Sequence, residues 1–165
     1  MKSLVCHQEA ARLEVLYQYQ ILDTPPEQAF DDLAFLAAEI CGTPIALINF
    51  IDANRHWFKA KVGLNVHQMP RSIGFCPICL DKSDVLIIPD TLADEEFANN
   101  AVVTSAPHVR FYAGVPLIAP SGEAIGTLCV VDTIARQISV KQVKSLRSLS
   151  RLVVRQLEIR RNLAQ

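Results

Sequence analysis

Arg110 and Tyr112 stand two residues apart in the apolar stretch Val109-Arg-Phe-Tyr-Ala-Gly-Val-Pro-Leu117. In a β-strand that spacing puts both side chains on one face. A second apolar stretch, Glu123-Ala-Ile-Gly-Thr-Leu-Cys-Val-Val-Asp132, follows the turn signal Ser121-Gly122. A hairpin closed by a two-residue turn sets Tyr112 opposite Val131, Gly114 opposite Cys129 and Pro116 opposite Thr127. Directly opposed residues share a face. One face then carries Arg110, Tyr112, Gly114, Thr127 and Cys129. The other carries Phe111, Ala113, Val115, Leu117, Gly126, Leu128 and Val130, a face that helices would cover. The mixed face has a guanidinium for charge or bidentate hydrogen bonds, an aromatic wall, and small residues that leave volume free. It fits the floor of a small-molecule pocket. The competing reading pairs Arg110 with a carboxylate and leaves Tyr112 as packing. A four-residue loop from Pro120 to Glu123 keeps this register, whereas a three-residue loop would break it.

Other residues could do different chemistry. Cys76-Pro-Ile-Cys79 has C-x-x-C spacing, but a structural zinc site needs two more ligands and the chain has no second such pair. The pair reads as two small residues on a short helix, and no metal site is predicted. Asp52, Asp90 and Asp132 each end an apolar stretch. Asp52 and Asp132 read as Asx-turns, while Asp90 leads into the segment 91–100. Trp57 is the sole tryptophan, and Arg71 lies beside Pro70 in a loop from which it could reach an anionic ligand.

The chain has 165 residues, enough for one domain, and a formal net charge of −1. With no basic stripe or tail, neither nucleic acid nor an anionic membrane is an expected partner. The five cysteines are odd in number, which argues against a disulfide framework. The N-terminus lacks the apolar core of a signal peptide, and the apolar run near residues 45–51 is too short to span a bilayer. A cytoplasmic location is expected.

The elements that must position these residues follow from periodicity. Residues 1–8 read as a flexible tail. Glu9 to Gln20 reads as a helix with Leu13 and Leu16 on its apolar stripe. Thr24, Pro25 and Glu27 suit the N-cap, first turn and capping-box position of a second helix. That helix carries Phe30, Leu33, Ala34, Ala37, Ile40 and Cys41 on one stripe and closes at Gly42. Residues 44–52 form a near-continuous apolar run, as in a strand buried on both faces. In residues 56–63, Phe58, Ala60 and Val62 alternate with Lys59 and Lys61, the pattern of an edge strand guarded by lysines. Residues 70–84 read as a loop with a short helix near 75–81. Residues 85–88 read as a short strand and 92–100 as a helical turn. From Gln137 onward a long helix carries Val140, Val143, Leu146, Leu149, Val153 and Leu157. Hairpins dominate and no βαβ rhythm repeats, which predicts the α+β class: a mostly antiparallel sheet with helices packed on it.

From Arg12 to about Arg161 the chain resembles a GAF domain, the small-molecule sensory module of signalling proteins. The resemblance rests on Ile21-Leu-Asp-Thr-Pro-Pro-Glu, Phe30-Asp-Asp-Leu, Ile48-Asn-Phe-Ile-Asp, Trp57-Phe-Lys, Pro70-Arg71, Phe75-Cys76, Ile88-Pro-Asp90, Arg110 to Leu117 and Gly126 to Asp132. It implies a central antiparallel sheet of five or six strands. The N- and C-terminal helices lie on one face and a loop and short-helix lid, residues 70–100, covers a pocket on the other. It also implies a domain over residues 9–165 whose last helix, 137–165, continues towards an output module such as a histidine kinase or cyclase and packs against a partner copy as a homodimer. The expected ligand-binding set is Trp57, Arg71, Phe75, Cys76, Asp90, Arg110, Tyr112, Thr127 and Cys129, with no catalytic residue. The ligand is unnamed. Covalent bilin is not expected: the one Cys-His pair is Cys6-His7, in the tail, and Pro107 precedes His108. The family's free methionine sulfoxide reductases place a catalytic cysteine in the region matching 109–114, where this chain has none. The expected function is therefore non-catalytic sensing. The alternatives are a dimerising module with a self-filled pocket and, behind it, a thiol-dependent reductase.

Overall fold

The structure, a computed structural model, describes residues 9–75 and 85–163. The expected tail, the Cys6-His7 pair, Cys76, Cys79 and most of the short helix near 75–81 lie outside the described residues.

Six strands form one antiparallel sheet: β1 (Ile45–Ile51), β2 (Arg55–Val62), β3 (Gln68–Pro70), β4 (Leu86–Ile88), β5 (Phe111–Ile118) and β6 (Ala124–Asp132), in the order β3-β2-β1-β6-β5-β4. Three helices pack on one face: α1 (Glu9–Gln18), α2 (Gln28–Cys41) and α4 (Val140–Leu163). Leu16, Phe30, Ala34, Ala37, Leu146, Leu149, Val153 and Leu157 from the helices meet Ala46, Ile48, Phe50, Phe111, Ala113, Val115, Leu128 and Val130 from the sheet in one buried core. The opposite face is covered by loops, by a single 3-10 turn (Thr91–Ala93) and by the short helix α3 (Ala101–Thr104). Of the expected helical turn over 92–100, only Leu92 and Ala93 fall in the 3-10 turn; 95–99 are turn, and α3 begins beyond the segment, at Ala101.

The central strands match the apolar pattern. Every residue of β1 is buried, as a strand covered on both faces must be. Tyr112 pairs with Val131, Gly114 with Cys129 and Pro116 with Thr127, the register expected from the turn signal. The connection itself differs. Ala119 N–H donates to the Glu123 carbonyl, so three residues close the loop, with Gly122 at φ 102°. A bulge restores the register: the partner of Leu117 is Gly126 and that of Ile118 is Ala124, which leaves Ile125 as the extra residue.

Two local expectations are corrected. First, β2 is not an edge strand, since β3 pairs with it through Arg55, His56 and Trp57. A bulge also interrupts its pairing with β1: Ile48 faces Ala60 and Asn49 faces Phe58. Lys59 is the extra residue, so Phe58 and Ala60 point to opposite faces, and each joins a different core. The Lys59 side chain has no exposed surface. Its ammonium donates to the Thr24 hydroxyl at 2.8 Å, the Pro25 carbonyl at 2.6 Å and the Glu27 carboxylate at 2.6 Å.

Second, α2 starts at Gln28 with Glu27 as its N-cap and without a side-chain cap bond. The Thr24 hydroxyl and Glu27 carboxylate that would build the capping box are held by Lys59, and Glu27 also accepts from Arg160 of α4 at 2.8 Å. The C-terminus is as expected: Gly42, at φ 65°, takes the left-handed conformation that a side chain disfavours.

Candidate functional site

The sheet face away from α1, α2 and α4 floors a cavity of about 60 Å³. Its floor comes from alternate residues of four strands: Ile45, Leu47 and Asn49 of β1, His56 and Phe58 of β2, Tyr112 of β5, and Cys129 and Val131 of β6. Met69 of β3, Val102 of α3, and Leu64, Gly74, Phe75, Pro107 and Val109 from the loops close it. Each strand contributes every second residue because the pleat turns the others into the helix-covered core.

The apolar end is aromatic. The Phe75 ring lies 4.9 Å from Tyr112 and meets Phe97 edge-on at 5.1 Å, centroid to centroid. Tyr112 lies over Gly114, whose lack of a side chain makes that position possible. The Cys129 thiol beneath is 3% exposed. Burial pushes its pKa up to about 12, outweighing hydrogen bonds from Tyr112 and the Leu47 backbone that would lower it. Burial likewise pushes Cys41, in the helix-side core, up to about 11, against a small lowering from Arg136. Both thiols stay protonated at neutral pH, which is the unreactive form.

The polar end consists of Asn49 and His56, 7% and 3% exposed. Asn49 Nδ2 lies 2.9 Å from His56 Nδ1 and 3.4 Å from the Thr127 hydroxyl. Asn49 Oδ1 and His56 Nε2 are buried with no hydrogen-bond partner. Burial lowers the His56 pKa to about 4. The Ile73 carbonyl opposes that shift, but without reaching hydrogen-bond geometry at Nε2, and Arg71 adds a smaller push in the same direction as burial. The ring is neutral at physiological pH.

The structure brings together some of the expected site residues and separates others. Phe75, Tyr112 and Cys129 line the cavity. Thr127 stands beside it as a neighbour of Asn49. Trp57 faces the other way, into the helix-side core, because it precedes Phe58 in the β2 alternation. Arg71 donates to the Glu9 carboxylate of α1 at 2.6 Å and to the Asp52 carbonyl at 3.2 Å, bracing the β1–β2 turn. Arg110 directs Nε and Nη2 to the same Asp90 oxygen, at 3.2 and 3.1 Å. That oxygen also accepts from the Leu92 N–H, so Asp90 caps the 3-10 turn. Trp57, Arg71, Asp90 and Arg110 are not among the lining residues. Asn49 and His56 stand outside the expected set; His56, which reads from the sequence as solvent-facing, is buried because the bulge and β3 enclose it. Asn49 sits as one polar residue inside an otherwise apolar strand, and that was the available signal.

The chain is 33% identical over 155 residues to a Pseudomonas aeruginosa protein named cyclic di-GMP phosphodiesterase PA2567, and the match covers 93% of this chain and 26% of that protein. The chain therefore spans about a quarter of its relative's length. The GAF domain of a phosphoenolpyruvate-protein phosphotransferase from Coxiella burnetii superposes with a TM-score of 0.68 at 14% identity, covering 96% of this chain and 98% of that one. A free methionine-R-sulfoxide reductase from Neisseria meningitidis, in complex with its substrate, superposes with a TM-score of 0.66 at 18% identity, covering 94% and 93%. These two structural likenesses establish the fold alone. The GAF domain family model matches residues 25–157, and the chain belongs to the GAF family.

Proposed function

We propose that this chain is a non-catalytic small-molecule sensory domain of a signal-transduction protein. The observation that carries the reading is the cavity itself: an apolar chamber on the free face of the sheet, lined by Asn49 and His56, each with a buried polar atom that makes no hydrogen bond of normal geometry. A buried polar atom without a partner is costly, and the polar edge of a ligand would offset that cost. The buried, protonated thiols of Cys41 and Cys129 support a non-catalytic role over a thiol-dependent reductase.

A connected set of contacts supports transmission to α4. Lys59 follows the cavity residue Phe58 on β2, and its ammonium meets Glu27, which also meets Arg160 near the end of α4. Arg160 reaches the Tyr19 and Gln20 carbonyls as well. A shift of β2 on ligand binding would therefore bias the position of α4 relative to α1 and α2, and through α4 a partner copy and an output domain. The relative's name makes cyclic di-GMP turnover the output we favour for a longer protein.

The second reading, a dimerising module with a self-filled pocket, draws on the cavity's size. About 60 Å³ is far below the roughly 300–1,000 Å³ of drug-sized sites. Native mass spectrometry of the purified protein, with a denatured control, separates the two. A reproducible extra mass lost on denaturation is the expected result. A bare polypeptide mass, with no saturable binding of small apolar probes, would favour the self-filled module.

A further inference from the structure

The chemistry of the polar end of the cavity narrows the class of molecule the site would detect, an inference that rests on the sensory reading above. An amide nitrogen only donates, so Asn49 Nδ2 donates to His56 Nδ1 at 2.9 Å. A neutral imidazole that accepts at Nδ1 carries its proton at Nε2. The two unsatisfied atoms are therefore one donor, His56 Nε2–H, and one acceptor, Asn49 Oδ1. Both residues line the cavity, and both are more than nine-tenths buried. The Tyr112 hydroxyl and Cys129 thiol, the other polar groups of the floor, are engaged with each other.

We infer that the cavity takes a small, neutral molecule with a hydrogen-bond acceptor beside a donor, an amide or lactam edge on a hydrocarbon body. Its carbonyl would accept from His56 Nε2–H and its N–H would donate to Asn49 Oδ1. Its apolar remainder would lie against Ile45, Leu47, Phe58 and Phe75. The described lining favours a neutral ligand over a charged one. No Lys, Arg, Asp or Glu is among the lining residues described, and an ion taken into such a site loses its hydration with no counter-charge to replace it. The volume suits a small ring: about 60 Å³ is several times the roughly 10–15 Å³ that one water needs.

The test uses 2-pyrrolidinone on the isotope-labelled full chain, followed by NMR. Cyclopentanone, the same ring without the donor, and butyrate, an anion of similar size, are the comparisons. The expected result is saturable binding of 2-pyrrolidinone that shifts the His56 ring nitrogens and the Asn49 side-chain amide. Its affinity should exceed that of cyclopentanone at least about tenfold, since a site built around a hydrogen bond rejects the analogue lacking it, and butyrate should not bind. Equal affinity for 2-pyrrolidinone and cyclopentanone would overturn the paired edge and leave an apolar sensory cavity standing. If no probe gives saturable shifts at cavity residues, the edge and the sensory reading fall together. A second measurement needs neither ligand nor variant. The His56 ring nitrogens at neutral pH should show the Nε2–H tautomer, and an Nδ1–H tautomer or a charged ring would overturn the assignment.

Discussion

The Tyr112 ring occupies the space where a side chain on Gly114 would be. A β-carbon at Gly114 would meet the phenolic oxygen and stand 2.8 Å from Cζ. The two residues are neighbours on one strand face, so the glycine sets how deeply the ring lies against the sheet. That depth defines one wall of the cavity, because the Phe75 ring packs against Tyr112, tilted by 55°, with the centroids 4.9 Å apart.

Gly114→Ala should therefore lift the Tyr112 ring towards Phe75 and reduce the cavity. An overpacked site of this kind costs about 1–3 kcal/mol. Chemical denaturation should show that loss, and the Phe75 ring resonances should move. Unchanged stability and unchanged Phe75 resonances would mean that the ring has another place to go.

His56 and Glu9 should give acid sensitivity in two consecutive windows. The His56 pKa falls from 6.5 to about 4 on folding. Between those values the unfolded chain takes up a proton that the folded chain refuses, so stability falls as pH drops through the window. The shift corresponds to about 3 kcal/mol, fully lost below pH 4. Burial would raise the Glu9 pKa, but hydrogen bonds and charge from Arg12 and Arg71 outweigh it and hold the carboxyl at about 2. Its contribution is intact above 4.5 and is lost as pH falls towards 2. Urea denaturation across pH should show both slopes, and His56→Gln should flatten the upper one alone.

Lys59→Ala should destabilise the protein by about 3 kcal/mol, near the low end for breaking a buried ion pair, because Glu27 keeps Arg160. Arg160→Ala should cost much less, since its side chain is partly exposed and Lys59 still holds Glu27. Thermal unfolding of the two variants checks the order. Equal losses would mean that Lys59 contributes no more than the partly exposed arginine.

Cys129 should resist thiol reagents in the folded protein. The thiolate is the reactive form, and burial keeps this thiol protonated up to about pH 12. Alkylation at pH 8 followed by peptide mapping should find Cys129 and Cys41 unlabelled before denaturation and labelled after it. Rapid native labelling of Cys129 would count against the non-catalytic reading.

The sequence by itself determined the elements whose signals are local. The apolar run of β1, the C-terminus of α2 at Gly42 and the stripe of α4 follow from periodicity and capping chemistry, whereas the expected pairing of Tyr112 with Val131 and of Gly114 with Cys129 holds because the bulge at Ile125 offsets a three-residue loop. Such features depend on neighbours a few residues away. Tertiary structure alone decided where the long polar side chains went. Arg71 pairs with Glu9 across 62 positions, and Lys59 with Glu27 across 32. A flexible cationic side chain takes whichever carboxylate the packed elements bring within reach, and sequence spacing carries no record of that choice. The bulge at Lys59 had the same effect on the site. One extra residue in β2 sends Phe58 to the cavity and Ala60 to the helix-side core, against simple alternation. With Phe58 on the cavity face, His56 shares that face and meets Asn49 from the adjoining strand. Neither residue marks a site alone; the site arises from their juxtaposition in the folded sheet.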